Sequence, residues 1–178
     1  MVAVSFLLTL PIFLTIVAII VQYALLVNAK LQVEEAAYMA GRAAVTALPD
    51  EQEGAIHRAA RMALAPLSPV AGDAADPEGS AMLEALLASG VEVPESFAGR
   101  YTYALEATEV TWLPEDVDWA HSRGREVEVT VRYRFWLTVP IAMVLIAPNT
   151  DTVGGVEGRF FTISSTVRVQ TAHGRFSN

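Results

Sequence analysis

MVAVSFLLTLPIFLTIVAIIVQYALLVNAKLQVEEAAYMAGRAAVTAL, residues 1–48, decides the architecture of this chain. Residues 1–27 are mostly aliphatic, and the first charged side chain is Lys30. At 1.5 Å of rise per residue, about 20 apolar helical residues cross the roughly 30 Å hydrocarbon core of a bilayer. A secretory signal peptide opens with basic residues, has a shorter apolar run and ends at a small-residue cleavage site; this stretch has none of these features. Pro11 lies inside the run and predicts a kink, because its ring displaces the carbonyl four residues back. Ser5, Thr9 and Thr15 interrupt the run, each able to bond a carbonyl one turn earlier.

The helical pattern continues past membrane depth. No proline follows until Pro49, and Ala36, Ala40 and Ala44 recur every fourth residue with Ala37 and Gly41 as a second pair beside them. Small residues at this spacing make a flat stripe against which another backbone can pack closely. Glu34, Glu35 and Arg42 occupy other faces. One helix of more than 40 residues, on the order of 65–70 Å long, is therefore expected, apolar all round in its first half and amphipathic in its second.

Outside this helix the chain is more ordinary. The whole has 178 residues with 53% hydrophobic and 18% charged, a mean hydropathy of +0.37 and a net charge of −8. Eleven of the twelve basic residues are arginines, and they are scattered. Without a basic stripe to displace counterions from phosphates, a nucleic-acid partner is not expected. Cysteine is absent, which excludes disulfides, thiolate metal sites and a cysteine nucleophile.

Three segments follow from the pattern: the helix at 1–48, a helical and loop segment at 49–99, and a β head at 100–178. In the second, Asp50 followed by Glu53 reads as a capping box opening a helix that runs to Pro66, with Ile56, Ala60, Ala63 and Leu64 on its apolar face. Residues 67–80 are rich in Pro, Gly, Asp and Ala and read as loop. Asp76 caps a further short helix with Pro77 at its first position, ending at Ser89 and Gly90.

The β segment is read from alternation. Tyr101, Tyr103 and Leu105 alternate through 100–112 and predict a strand there. In residues 126–137, Val127, Val129, Val131, Tyr133, Phe135 and Leu137 point one way, and Glu126, Glu128, Thr130, Arg132 and Arg134 the other. In the last strand Phe161, Ile163, Val167 and Val169 face inward. Two-faced alternation predicts an antiparallel sheet with one face covered by the long helix. The apolar run 140–148, bracketed by prolines, reads as a buried loop or short strand, or as an exposed patch for a neighbouring subunit or lipid.

Sites for chemistry are few. Glu115, Asp116 and Asp118 form a weak Ca²⁺ candidate that lacks the regular spacing of a calcium loop. His57, His121 and His173 are far apart and have no zinc-binding spacing. No nucleophile elbow, phosphate loop or dinucleotide turn occurs. No catalytic residue and no cofactor are assigned, and a structural protein is the expectation.

With this layout, the opening of the chain resembles the TadE-like family of minor pilins from the tight-adherence (Tad or Flp) pilus, a type IV pilus system. Ala3, Val4, Phe6, Leu8, Leu10 and Pro11 fit the family's A-V-E-F-A-L-x-L-P opening, and Ala36, Ala37, Ala40, Gly41, Arg42, Ala43 and Ala44 fit its Ala-rich continuation. The likeness is good over the first 48 residues, loose over the last 80 and absent between. It implies a pilin-like α+β fold: a long N-terminal helix packed against a C-terminal antiparallel sheet of about three strands, with two short helices between.

The resemblance also implies a life history. Members are made as prepilins, and a prepilin peptidase removes a short basic leader. The apolar helix lies in the bacterial inner membrane and then enters the filament, through an assembly platform and contacts with major and minor pilins, with the head outside the cytosol. Met1 is either the residue that processing exposes or an initiator. Pilins usually carry Glu at the fifth mature position, where its carboxylate can pair with a neighbour's terminal amine; here that position is Ser5. In related systems its loss accompanies a tip subunit, so an initiating or tip position is expected. The assembly residues are then Met1, Ser5, Phe6, Pro11, Ala36, Ala37, Ala40, Gly41 and Ala44. The alternative is a single-pass anchored periplasmic binding protein that never enters a filament.

Overall fold

The computed structural model describes residues 2–48, 51–71, 76–113 and 126–170. The fold is α+β, with a long N-terminal apolar helix and a three-stranded antiparallel sheet at the C-terminal side. Helix α1 runs unbroken from Val2 to Thr46 with Pro11 inside it, a length of about 67 Å at the α-helical rise. On either side of the proline, Thr9 Oγ1 donates to the Phe6 carbonyl and Thr15 Oγ1 to that of Pro11.

Three short helices, rather than the expected two, stand between α1 and the sheet. Helix α2 (Gln52–Leu64) buries Ile56, Ala60 and Leu64 and leads into a 3-10 turn over Ala65–Leu67. Its N-cap is Glu51, with no side-chain cap bond, and Gln52 Nε2 instead reaches back to the Ala44 carbonyl at the end of α1. Asp50, the predicted cap, lies outside the described residues. Helix α3 (Pro77–Ala88) opens as its sequence predicts: Asp76 Oδ1 accepts from the Glu78 N–H at 2.8 Å, and Pro77 stands at the first turn. Gly90 closes it with φ +80°, the left-handed geometry that glycine adopts freely.

Helix α4 (Phe97–Ala107) corrects the strand expected over 100–112. Alternating tyrosines suggested one buried face. In the structure Tyr101, Thr102, Tyr103 and Ala104 are all buried, because α4 is enclosed by α2, α3 and the sheet together. Burial around the whole turn removes the helical period from the sequence and leaves a short alternation that mimics a strand. Only Thr108–Leu113 is extended, as β1.

The sheet has the order β1-β2-β5, with β2 (Glu126–Trp136) central and β5 (Phe160–Gln170) on its far side. The β2 alternation holds residue by residue: Val127, Val129, Val131, Tyr133 and Phe135 are buried, as is Leu137 just beyond the strand. On β5, Ile163 is buried and Val167 and Val169 are partly covered, but Phe161 is exposed rather than inward. It lies opposite Phe135 on β5, which is an edge strand among the described residues. The outer face is polar, with Arg168 bonded to Glu128 at 2.9 Å and Thr130 to Thr166 at 2.8 Å.

Between β2 and β5 the chain forms helix α5 (Pro140–Ile146) and a small hairpin, β3 (Asp151–Val153) with β4 (Val156–Gly158). The run expected as a loop or short strand is thus helical; Pro140 sits in its first turn, where a missing N–H and a fixed φ are tolerated. Gly154 and Gly155, at φ +57° and +72°, make the tight turn of the hairpin.

One core joins these parts. It contains Ala29 to Ala44 of α1, the apolar face of α2, Tyr103 and Ala107 of α4, and the inner face of the sheet. Tyr133 lies at its centre, with its hydroxyl 2.9 Å from Ser68 Oγ, which also donates to the Leu64 carbonyl. Burial pushes the Tyr133 phenol up to about 12, with the Ser68 bond opposing.

Candidate functional site

The candidate functional feature is α1 itself, and the structure divides it near Gln22. From Phe6 to Val21 its large side chains are mainly exposed: Phe6, Ile12, Phe13, Leu14, Ile16 and Ile20 each leave more than half of their surface uncovered. Exposed aliphatic surface on this scale is unfavourable in water, by about 25 cal/mol for each Å². In lipid or against other apolar helices the penalty vanishes. The helix is long and apolar enough to cross a membrane.

Beyond Gln22 the same helix carries the head. Ala29, Val33, Ala36, Ala37, Ala40 and Ala44 are fully buried by the chain's own β2, β5 and α2. Each presents only a methyl or a short branched group, so the sheet can approach the helix backbone. Gly41 is the closest point. A methyl added there would lie 2.6 Å from Val169 Cγ2 and 2.9 Å from Val167 Cγ1, inside van der Waals contact. The small-residue stripe singled out in the sequence for assembly thus has its partner within the same chain. Glu34, Glu35 and Arg42 face outward, with Arg42 resting over the Tyr38 ring at 5.9 Å.

Of the remaining predicted assembly residues, Phe6 and Pro11 lie on the exposed half, Ser5 lies within the helix span, and Met1 is outside the described residues. Glu115, Asp116 and Asp118 are outside them as well. Among the described residues no group of three or more His, Asp or Glu could hold a metal ion.

The sequence reading passed over Gln22. It is fully buried, and its Oε1 accepts the Val139 N–H at 3.1 Å, tying α1 to the chain just before α5. The signal was present as an amide inside an aliphatic run. Its meaning required knowing which distant backbone would meet it.

A cleft opens elsewhere in the head. It is lined by Glu53, His57, Val110, Thr111 and Trp112, with the His57 and Trp112 rings edge to face at 5.7 Å. Burial, reinforced by nearby Arg61, lowers the His57 pKa below its ordinary value, favouring the neutral ring. Glu53 is one helical turn away on the same face, so the pair belongs to the surface of α2.

No curated protein and no solved structure matches the chain. Residues 1–42, nearly the whole of α1, match the family model described as TadE-like protein, the family that the opening of the sequence resembles.

Proposed function

We propose that this chain is a minor pilin, a structural and non-enzymatic subunit of a Tad-type pilus. The observation that supports it most is the division of α1: an uncovered aliphatic half continuous with a half that carries an α+β head. Before assembly the uncovered half sits in the inner membrane as a single span, held by hydrophobic burial. On assembly it exchanges lipid for the helices of major and minor pilins, with Phe6, Pro11 and their aliphatic neighbours as the packing surface. Prepilin peptidase and the inner-membrane platform are its processing and assembly partners. Ser5, in place of the usual pilin carboxylate, leaves one docking contact unmade, which suits an initiating or tip position in a filament that serves attachment.

The test is to shear pili from cells carrying an epitope-tagged copy and to locate the protein by immunogold microscopy. Label at filament ends supports the full reading. Even label along the shaft removes the tip assignment. Retention in the membrane fraction, with no label on sheared pili, replaces the reading with that of an anchored periplasmic protein.

A further inference from the structure

We infer that α5 is a second, interfacial membrane contact that fixes how deeply the head sits on the bilayer while the chain is membrane-resident. The inference rests on the membrane reading above and adds a site to it.

The first observation is position. Gly41 meets Val167 and Val169 of β5, which pair with Val129 and Val127 of β2. Gln22 meets Val139, three residues beyond the end of β2. Strand β2 therefore runs back along α1 toward its apolar half, and α5 begins at the membrane-side end of the head, packed against α1. The Val139 N–H and carbonyl are both bonded, but strand β2 just beyond this level carries the exposed Arg134, and a charged strand face does not lie in hydrocarbon. The span of α1 thus ends at about Gln22. Residues 2–21 supply the roughly 20 needed to cross.

The second observation is chemistry. Helix α5 contains no charged or hydrogen-bonding side chain, and Val144 and Leu145 are 53% and 68% exposed. They belong to an apolar turn packed against α1, whose own aliphatic side chains are exposed up to this level. Tyr23, 69% exposed on α1 at this level, is a residue that favours the headgroup region, where its ring is apolar and its hydroxyl is wet.

The third observation concerns backbone groups, which lipid cannot satisfy. Within α5 the Met143 N–H bonds the Val139 carbonyl and the Ala147 N–H that of Met143, both at 2.9 Å. At the C-terminal end, Arg159 Nη1 donates to the Ala147 and Pro148 carbonyls at 2.6 and 2.8 Å. The apolar turn is finished by a guanidinium at its rim, an arrangement suited to a helix lying just below the headgroups.

Because the chain lacks cysteine, single labels are specific. Full-length L145C, I12C and L113C carry a nitroxide in phosphatidylethanolamine–phosphatidylglycerol vesicles, and spin relaxation by oxygen is compared with that by a water-soluble nickel chelate. Leu145 and Leu113 are both exposed, so their replacement spares the core; circular dichroism checks the fold. The expected order of the oxygen-to-nickel ratio is I12C highest, L145C intermediate at a depth of about 5–10 Å, and L113C lowest. L145C as accessible to nickel as L113C, with I12C in lipid, overturns the α5 contact and leaves the membrane reading intact. L145C shielded from both reagents also overturns it, in favour of a protein partner. I12C in water defeats the membrane reading itself.

Discussion

Gly41→Ala tests whether the small-residue stripe of α1 serves the chain's own head. The substitution replaces glycine in a helix interior, which by propensity alone should stabilise by about 1 kcal/mol. Here the added methyl would stand 2.6 Å from Val169 Cγ2 and 2.9 Å from Val167 Cγ1. Valine cannot turn those methyls away freely, because branching at Cβ restricts its rotamers. The helix or the edge strand must shift, and overpacking of this kind costs about 1–3 kcal/mol. The two effects oppose, and the steric one wins by about 1 kcal/mol. For a chain of this size that lowers the melting temperature by about 2–4 °C. The assay is urea unfolding in mild detergent, which keeps the apolar half of α1 solvated. A double-mutant cycle with Val169→Ala isolates the contact: that truncation costs about 1 kcal/mol alone but relieves the clash, so the pair should be coupled by about 1 kcal/mol. If Gly41→Ala raises stability, or the two changes add within about 0.5 kcal/mol, the close approach of sheet and helix at this point is refuted.

Other outcomes follow from the head. Tyr133 keeps its proton to about pH 12 in the fold, whereas an unfolded tyrosine ionises near 10. Its contribution is fully present below pH 10 and is lost between 10 and about 12, by about 3 kcal/mol for this residue. Tyr133→Phe should lose about 1 kcal/mol at neutral pH with its Ser68 bond and then show a shallower alkaline decline, measured by urea unfolding at pH 9 and pH 11.5. The reverse slope is expected of His57. Its depressed pKa means that below the ordinary value of 6.5 the unfolded chain takes up the proton first, so stability falls as pH drops from 6.5 toward the lower folded value. His57→Gln should flatten the stability profile between pH 7.5 and 5.5; an unchanged slope would place the acid sensitivity elsewhere. Asp76→Ala should cost about 1 kcal/mol by removing the cap of α3, and Asp76→Asn should recover most of it.

Much of this protein was legible in its sequence because the pattern and the environment share one period. The length of α1 follows from an aliphatic run passing into an Ala-rich repeat, and the inner face of β2 from strict alternation between valine and charge. Asp76, Pro77 and Gly90 mark α3 because caps act through neighbouring backbone groups alone. Where burial comes from several directions, pattern fails. Tyr101 and Tyr103 belong to a helix whose enclosure erased its stripe, and the prolines around 140–148 bracket a helix turn that reads as loop or strand.

What the sequence determined by itself was a helix too long and too apolar to remain uncovered in water, bearing a sheet with one face to hide. Those are properties of single segments, set by period and side-chain type. Only the tertiary structure decided which part of that helix the sheet takes. It seats β5 on Gly41, joins Gln22 to Val139, and leaves large side chains of the first half of α1 and of α5 uncovered. A stripe of small residues fits a neighbouring subunit and the chain's own sheet equally well. The choice between them rests on contacts between residues more than a hundred positions apart, which no local pattern encodes.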